Sequence, residues 1–259
     1  MLFSTLGNPQ NPAVLFFHAM AVTGESSEPV AQSLQDRYFC VLPTSTVYCP
    51  GQRYVNKADE VRQVEEFLAE QGVKRLALVV ASSLGADLAM AFLTGTKLSV
   101  EHVYFDGGQF ARIGKMTRLL MTPLLHLAIK SLSWSKGGTL KYILWCDGEN
   151  LKPYFIAAAR SLTYGNLRRQ LADSLEDKPF PALPGKLEVR TWFAFGSGEE
   201  HFKCREAVQR AYPKAHYPVF RDYNHMQYQI RDPQGFGEML VTLMETDRLP
   251  ELPMLETGE

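Results

Sequence analysis

One short stretch carries residues that could do chemistry: Leu76 to Met90, L-A-L-V-V-A-S-S-L-G-A-D-L-A-M. An apolar run leads into two serines, then a glycine, then a pattern of helical period. A serine on such a strand-to-helix corner stands clear of both elements, and the corner holds its backbone in a strained conformation that only small neighbours allow. If Ser83 is the corner residue, the positions two before and two after it are Ala81 and Gly85, both small. If Ser82 is, they are Val80 and Leu84, both bulky. Ser83 is therefore the expected nucleophile. The N-terminus of the following helix would favour negative charge developing beside it. The chemistry this suggests is attack on a carbonyl carbon, which in a neutral serine requires a base close by.

Other chemistries are less well supported. The four cysteines (Cys40, Cys49, Cys146 and Cys204) are scattered, with no C-x-x-C pair and no histidine at metal-ligand spacing. They read as buried apolar residues, so no metal and no disulfide framework is expected. No G-x-G-x-x-G follows any strand-like run, which sets aside dinucleotide binding. With 27 Lys and Arg against 28 Asp and Glu, the net charge is -1, and no basic field points to nucleic acid.

The elements that would position the serine can be read from periodicity. Short apolar runs at Ala13–Phe17, Tyr38–Leu42 (stopped by Pro43), Leu76–Val80, Val100–Phe105, Val189–Phe195 and Tyr217–Phe220 predict strands. Between them, Val61, Val64, Phe67 and Leu68 predict a helix ended by Gly72, and further helices are expected at Ser83–Leu93, Phe202–Ala211 and Phe236–Met244. Alternation of this kind implies an α/β fold with a mostly parallel sheet covered on both faces. Only about a dozen residues precede the first strong strand, so the edge strands are expected to be short or missing. The tail after Leu249 is expected to be loose.

Residues 107–185 break the alternation. They are mostly helical in pattern, with Met116, Leu119, Leu120, Leu124 and Leu127 at helical spacing and a kink expected at Pro123. Tyr142–Trp145 is an ambiguous strand, and a proline-rich hinge, Lys178 to Gly185, ends the segment. It reads as a helical cap inserted into a core of residues 1–106 and 186–259. It holds 11 Lys and Arg against 5 Asp and Glu, leaving the remainder net negative. A solvated helical face accounts for that charge, and attraction of an anionic substrate is the sharper alternative. Its apolar residues, with Trp134 and Phe155, suit either an apolar substrate group or packing on the sheet. The longest apolar stretch is too short to span a bilayer, and the N-terminal residues lack the pattern of a secretory signal; a cytoplasmic protein is expected. Oligomeric state is not legible.

With strand, A-S-S-L-G corner and helix in place, the sequence resembles the α/β-hydrolase fold family, whose elbow is G-x-S-x-G; Ala81 departs from it by one methyl group. The F-F-H-A-M run at Phe16–Met20 looks like the family's His-Gly signature, with Ala19 for glycine. The resemblance implies an oxyanion hole made by the backbone N–H groups of Met20 and Leu84, with His18 shaping the loop. It also implies an acid after the strand T-W-F-A-F, where G-S-G-E-E places Glu199 at the family's position. Glu200 is the adjacent alternative, and Asp106 in Y-F-D-G-G is a third. The base it implies is His225, in R-D-Y-N-H-M-Q-Y after the last strand. Ser83, Glu199 and His225 then follow the family's nucleophile–acid–base order. His102, His126, His201 and His216 need no role.

The activity implied is that of a serine hydrolase acting on an ester or related carbonyl bond of a small molecule, without cofactor. A carbon–carbon bond hydrolase, a thioesterase or an acyltransferase would use the same residues, and a weakly catalytic binding protein would keep the fold. Activity through His225 should fall as the imidazole protonates.

Overall fold

A computed structural model describes residues 1–110, 113–136, 138, 148–174 and 180–256. Its centre is an eight-stranded sheet ordered β1-β3-β2-β4-β5-β6-β7-β8. The strands are β1 (Leu2–Leu6), β2 (Ala13–Phe17), β3 (Phe39–Thr44), β4 (Arg75–Ser82), β5 (Ser99–Asp106), β6 (Thr191–Gly196), β7 (Val219–Phe220) and β8 (Leu255–Glu256). All neighbouring pairs from β3 to β7 are parallel, and β1 and β8 close the two edges antiparallel. The expected α/β architecture is present.

Alternation along each strand divides the core. Leu15, Phe17, Val79, Ala81, Phe105 and Phe193 face one side. There they pack against α2 (Lys57–Glu70), α3 (Gly85–Gly95) and α7 (Arg205–Ala211). Val14, Phe16, Leu78, Val80, Tyr104 and Ala194 face the other, under α1 (Glu28–Gln32) and α9 (Pro233–Thr246), which the short α8 (Gln227–Arg231) precedes. Successive side chains point to opposite faces, so strands apolar throughout are what a sheet covered twice requires.

Between β5 and β6 lie α4 (Lys115–Trp134), α5 (Lys152–Ser161) and α6 (Tyr164–Ser174). They share a third apolar cluster, which includes Ile129, Leu132, Phe155, Leu167 and Leu171. Through Ala21, Val22, Tyr48 and Leu84 this cluster reaches the ends of β2, β3 and β4. Helix α4 runs through Pro123 as one element. Tyr142–Trp145, Cys146 and the start of the proline-rich hinge lie outside the described residues.

Several sequence expectations need correction. The described part of the tail, residues 250–256, is not loose: Arg221 N donates to Met254 O at 2.7 Å, and β8 pairs with β7. β3 does not stop at Pro43. β2 pairs only with Phe39 to Val41, so the missing proline N–H falls where that ladder has ended, and Pro43 pairs with Phe3 of β1 instead. Val189 and Arg190 belong to a 3-10 helix preceding β6. α3 starts at Gly85, two residues later than its periodicity suggests, because Ser83 has a left-handed backbone. Met116, Leu119, Leu120, Leu124, Leu127 and Trp134 neither pack on the sheet nor line a described cavity; all are exposed.

Candidate active site

β4 delivers the serine pair to the carboxyl end of the sheet. Ser82 is the last strand residue, paired with Asp106 of β5, and is 4% exposed. Its hydroxyl accepts a hydrogen bond from Gln229 Nε2 at 3.1 Å, and the same nitrogen bonds the Asp106 carboxylate. Ser82 is thus held inside a buried polar cluster. Ser83 is different: it is half-buried, with φ of +52°. That left-handed conformation costs a residue with a β-carbon on the order of 1–3 kcal/mol, and the surroundings must impose it. They do so through Ser83 N, which donates to Asp106 O at 3.0 Å, and Ser83 O, which accepts from Gln109 N at 2.9 Å. At Gly85 a β-carbon would lie 2.4 Å from Phe17 O and 2.6 Å from His18 O. Close approach of backbone to backbone is why the sequence has glycine there.

The expected base and acid meet. His225 Nδ1 lies 2.5 Å from Glu199 Oε2, and Glu199 Oε1 accepts the Gly196 amide at 2.8 Å. The Glu199 side chain is wholly buried, while Glu200 is exposed. Burial pushes Glu199 up from the usual carboxylate range and pushes His225 down from the usual imidazole range. Both shifts oppose charge in a dry site, and they leave His225 a neutral acceptor of protons at neutral pH. Asp106, the third candidate acid, is pushed up to about 8 by burial and by the nearby Glu199 charge, partly offset by the bond from Gln229. Its partner is Gln229, whereas Glu199 holds the imidazole.

One loop, residues 106–109 after β5, touches both halves of this arrangement. Asp106 and Gln109 bond the Ser83 backbone. Between them sits Gly107, with φ of +58°, where a β-carbon would lie 2.4 Å from His225 Nδ1 and 2.8 Å from Glu199 Oε2. The serine and the imidazole are therefore at the same end of the sheet, on either side of a single four-residue loop.

The loop after β2 supplies the third part. His18 is buried; its Nε2 accepts from Ser45 N at 3.0 Å, so the 2.7 Å contact from Nδ1 to Ala19 O is a donated bond. Burial lowers its pKa, in keeping with a neutral, structural imidazole. Ala21 has φ of +65°, and its N–H donates to the Tyr48 hydroxyl at 2.9 Å. That hydroxyl in turn donates to Gln170 of α6 at 3.3 Å. A small cavity of about 30 Å³ is lined by His18, Met20, Leu84, Gly85, Lys57 and Gln170, so the two expected oxyanion residues border one space.

Sequence reasoning passed over several residues here. Tyr48 and Gln170 are far from the motifs and gave no local signal. Gln229 follows His225 by four residues, but the helix that carries it starts only at Gln227, after the left-handed Met226, so helical spacing does not relate the two. The His201 ring packs edge-on against His225 at 4.6 Å between centroids, two residues beyond Glu199. His102 instead bonds Ala77 O and Asp247, and His216 stacks on Trp192; both are structural. Cys40 and Cys49 are buried free thiols raised to about 12 and about 11 by desolvation, as expected of apolar fillers. Among the described residues no cluster of His, Cys, Asp and Glu could hold a metal ion, and no helix is long and apolar enough to cross a membrane.

No family profile and no curated protein sequence matches the chain. Solved structures do. An α/β hydrolase family protein from Desulfitobacterium hafniense superposes with a TM-score of 0.72 at 18% identity, covering 94% of this chain and 100% of that one. An esterase from Exiguobacterium antarcticum gives 0.70 at 13% identity, covering 94% and 95%. MenH from S. aureus gives 0.68 at 12%, covering 95% and 99%. The chain has the α/β-hydrolase fold.

Proposed function

We propose that this chain is a serine hydrolase that cleaves an ester or related carbonyl bond of a small molecule. Ser83 is the nucleophile, His225 the base, Glu199 the acid that orients it, and the Met20 and Leu84 amides form the oxyanion hole. Residues 107–185 act as the cap, and its inward-facing side chains, not the exposed outer face of α4, select the substrate. The observation that carries the reading is the strained Ser83 corner sharing one loop with a buried His225–Glu199 pair. An esterase among the similar structures favours ester chemistry over its relatives.

In this mechanism Ser83 Oγ attacks the carbonyl carbon while His225 Nε2 takes its proton. Nδ1–H remains on Glu199, which holds the tautomer and stabilises the imidazolium. The carbonyl oxygen becomes an oxyanion between the two amides, whose fixed dipoles need no rearrangement at the moment of reaction. The imidazolium then gives its proton to the departing alcohol. Water, deprotonated by the same nitrogen, releases the acid and restores the serine. No step requires a metal or an organic cofactor.

The test is labelling by a fluorophosphonate probe alongside turnover of short p-nitrophenyl esters. Labelling should occur at neutral pH and vanish in Ser83→Ala, with ester turnover lost in parallel. Labelling without ester turnover would move the activity to thioester, carbon–carbon or acyl-transfer substrates. Absence of both would make the chain a binding protein on the same fold.

A further inference from the structure

The exposed stripe on α4 is the largest feature that the catalytic reading leaves unused. Met116, Leu119, Leu120, Leu124, Leu127 and Trp134 are between 51% and 71% exposed. At about 100° per residue they fall on one side of the helix, centred opposite the buried Thr122, Ile129 and Leu132. Helix α4 is therefore apolar on both sides. The inner side packs into the third apolar cluster, and Lys130 Nζ pins it by donating to the Ala159 and Arg160 carbonyls at the end of α5. The outer side offers water a band about 27 Å long. Soluble surfaces rarely keep a contiguous apolar patch of this kind without a use for it.

Charge decides what would cover it. Among the described residues α4 and its flanks carry no Asp or Glu, and the exposed cations are Lys115 and Lys136, one at each end of the stripe, while Lys130 faces α5. A second copy of the chain, docked stripe to stripe, would bring two sets of these cations together with no carboxylate to offset them. An anionic bilayer surface meets both requirements, since acyl chains accept the leucines and headgroups accept the cations. A terminal tryptophan suits the boundary between the two.

We propose that the outer face of α4 is a docking surface for anionic lipid membranes, with the helix lying in the interface plane and not crossing it. The surface begins within ten residues of the 106–109 loop, so docking would place the mouth of the candidate site near the lipid. It does not depend on the serine chemistry.

The experiment is co-flotation of the full chain with phosphatidylcholine vesicles, with and without phosphatidylglycerol. The wild type should float with the anionic vesicles, more weakly with neutral ones, and less at high salt. The double variant Leu120→Glu, Leu124→Glu should lose about tenfold or more in vesicle affinity, while keeping the thermal transition and the activity on a soluble ester of the parent. Ser83→Ala should float like the wild type, which separates this inference from the catalytic one. Failure of the wild type to float, or a double variant that floats equally well, would overturn it. So would a dimer that the same two substitutions dissociate.

Discussion

The loops at the carboxyl end of the sheet and the outer face of α4 are built on opposite principles. At the sheet end, backbone approaches backbone: Gly85 against Phe17 O and His18 O, Gly196 against Tyr223 O, and Gly107 against the imidazole itself. Left-handed residues at Ala21, Ser83 and Met226 are held there by their surroundings. On the outer face of α4 the stripe side chains are exposed, and burial is confined to the inner side. The difference teaches where precision is stored. A site that must hold an oxyanion and a proton acceptor within tenths of an ångström is made by excluding alternatives, whereas a surface for a fluid partner needs only composition.

Substitutions can break that contrast or make it finer. Ser83→Ala should reduce kcat/KM on p-nitrophenyl esters on the order of 10⁴-fold or more without lowering the thermal transition. Retained activity would remove the nucleophile. Glu199→Gln should cost about 10²–10⁴-fold, since the imidazole loses both its tautomer lock and its counter-charge. The same variant bears on pH. Burial already holds His225 below a solvated imidazole, so the acid limb of the rate profile should lie below pH ~6.5; loss of the Glu199 charge should move the limb lower still. A limb at or above pH 7 in the parent would contradict His225 as the buried base. Gly85→Ala, probed by urea unfolding, should cost about 2–4 kcal/mol because the new methyl meets two fixed carbonyls. Tyr54→Phe, which removes a 2.8 Å bond to Asp173 of α6, should cost about 1 kcal/mol. Leu124→Ser on α4 should fall within about 0.5 kcal/mol of the parent. A large loss there would mean that the stripe is part of the folded core and would erase the contrast.

The elbow was legible in the sequence because strain leaves a local mark: Ala81 and Gly85 flank Ser83 with the small side chains that a left-handed corner between strand and helix demands. That His225 and Glu199 should meet was expected from the family resemblance, through chain order and placement after strands, and burial separates Glu199 from Glu200 only once the fold is known. What was not legible depends on distant residues meeting. Gln229 clamps Ser82 and Asp106, Tyr48 bridges Ala21 and Gln170, and neither pairing has a period or spacing to betray it. β1, an edge strand, mixes exposed and half-buried residues without alternation and buries none, so its pattern is faint, and β8 is two residues long. The α4 stripe shows a further limit. Helical spacing of leucines says that a face is apolar, but not what it faces.

Gly107 takes no part in any proton or acyl transfer, yet a β-carbon there would run into both the His225 ring and the Glu199 carboxylate. In a library randomised at every position and selected for turnover, this site should come back with a single letter, while Leu120 and Leu124 tolerate nearly the whole alphabet on a water-soluble ester. An engineer wishing to enlarge the acyl space should therefore leave the turn after β5 untouched and recruit diversity from the helices that follow it.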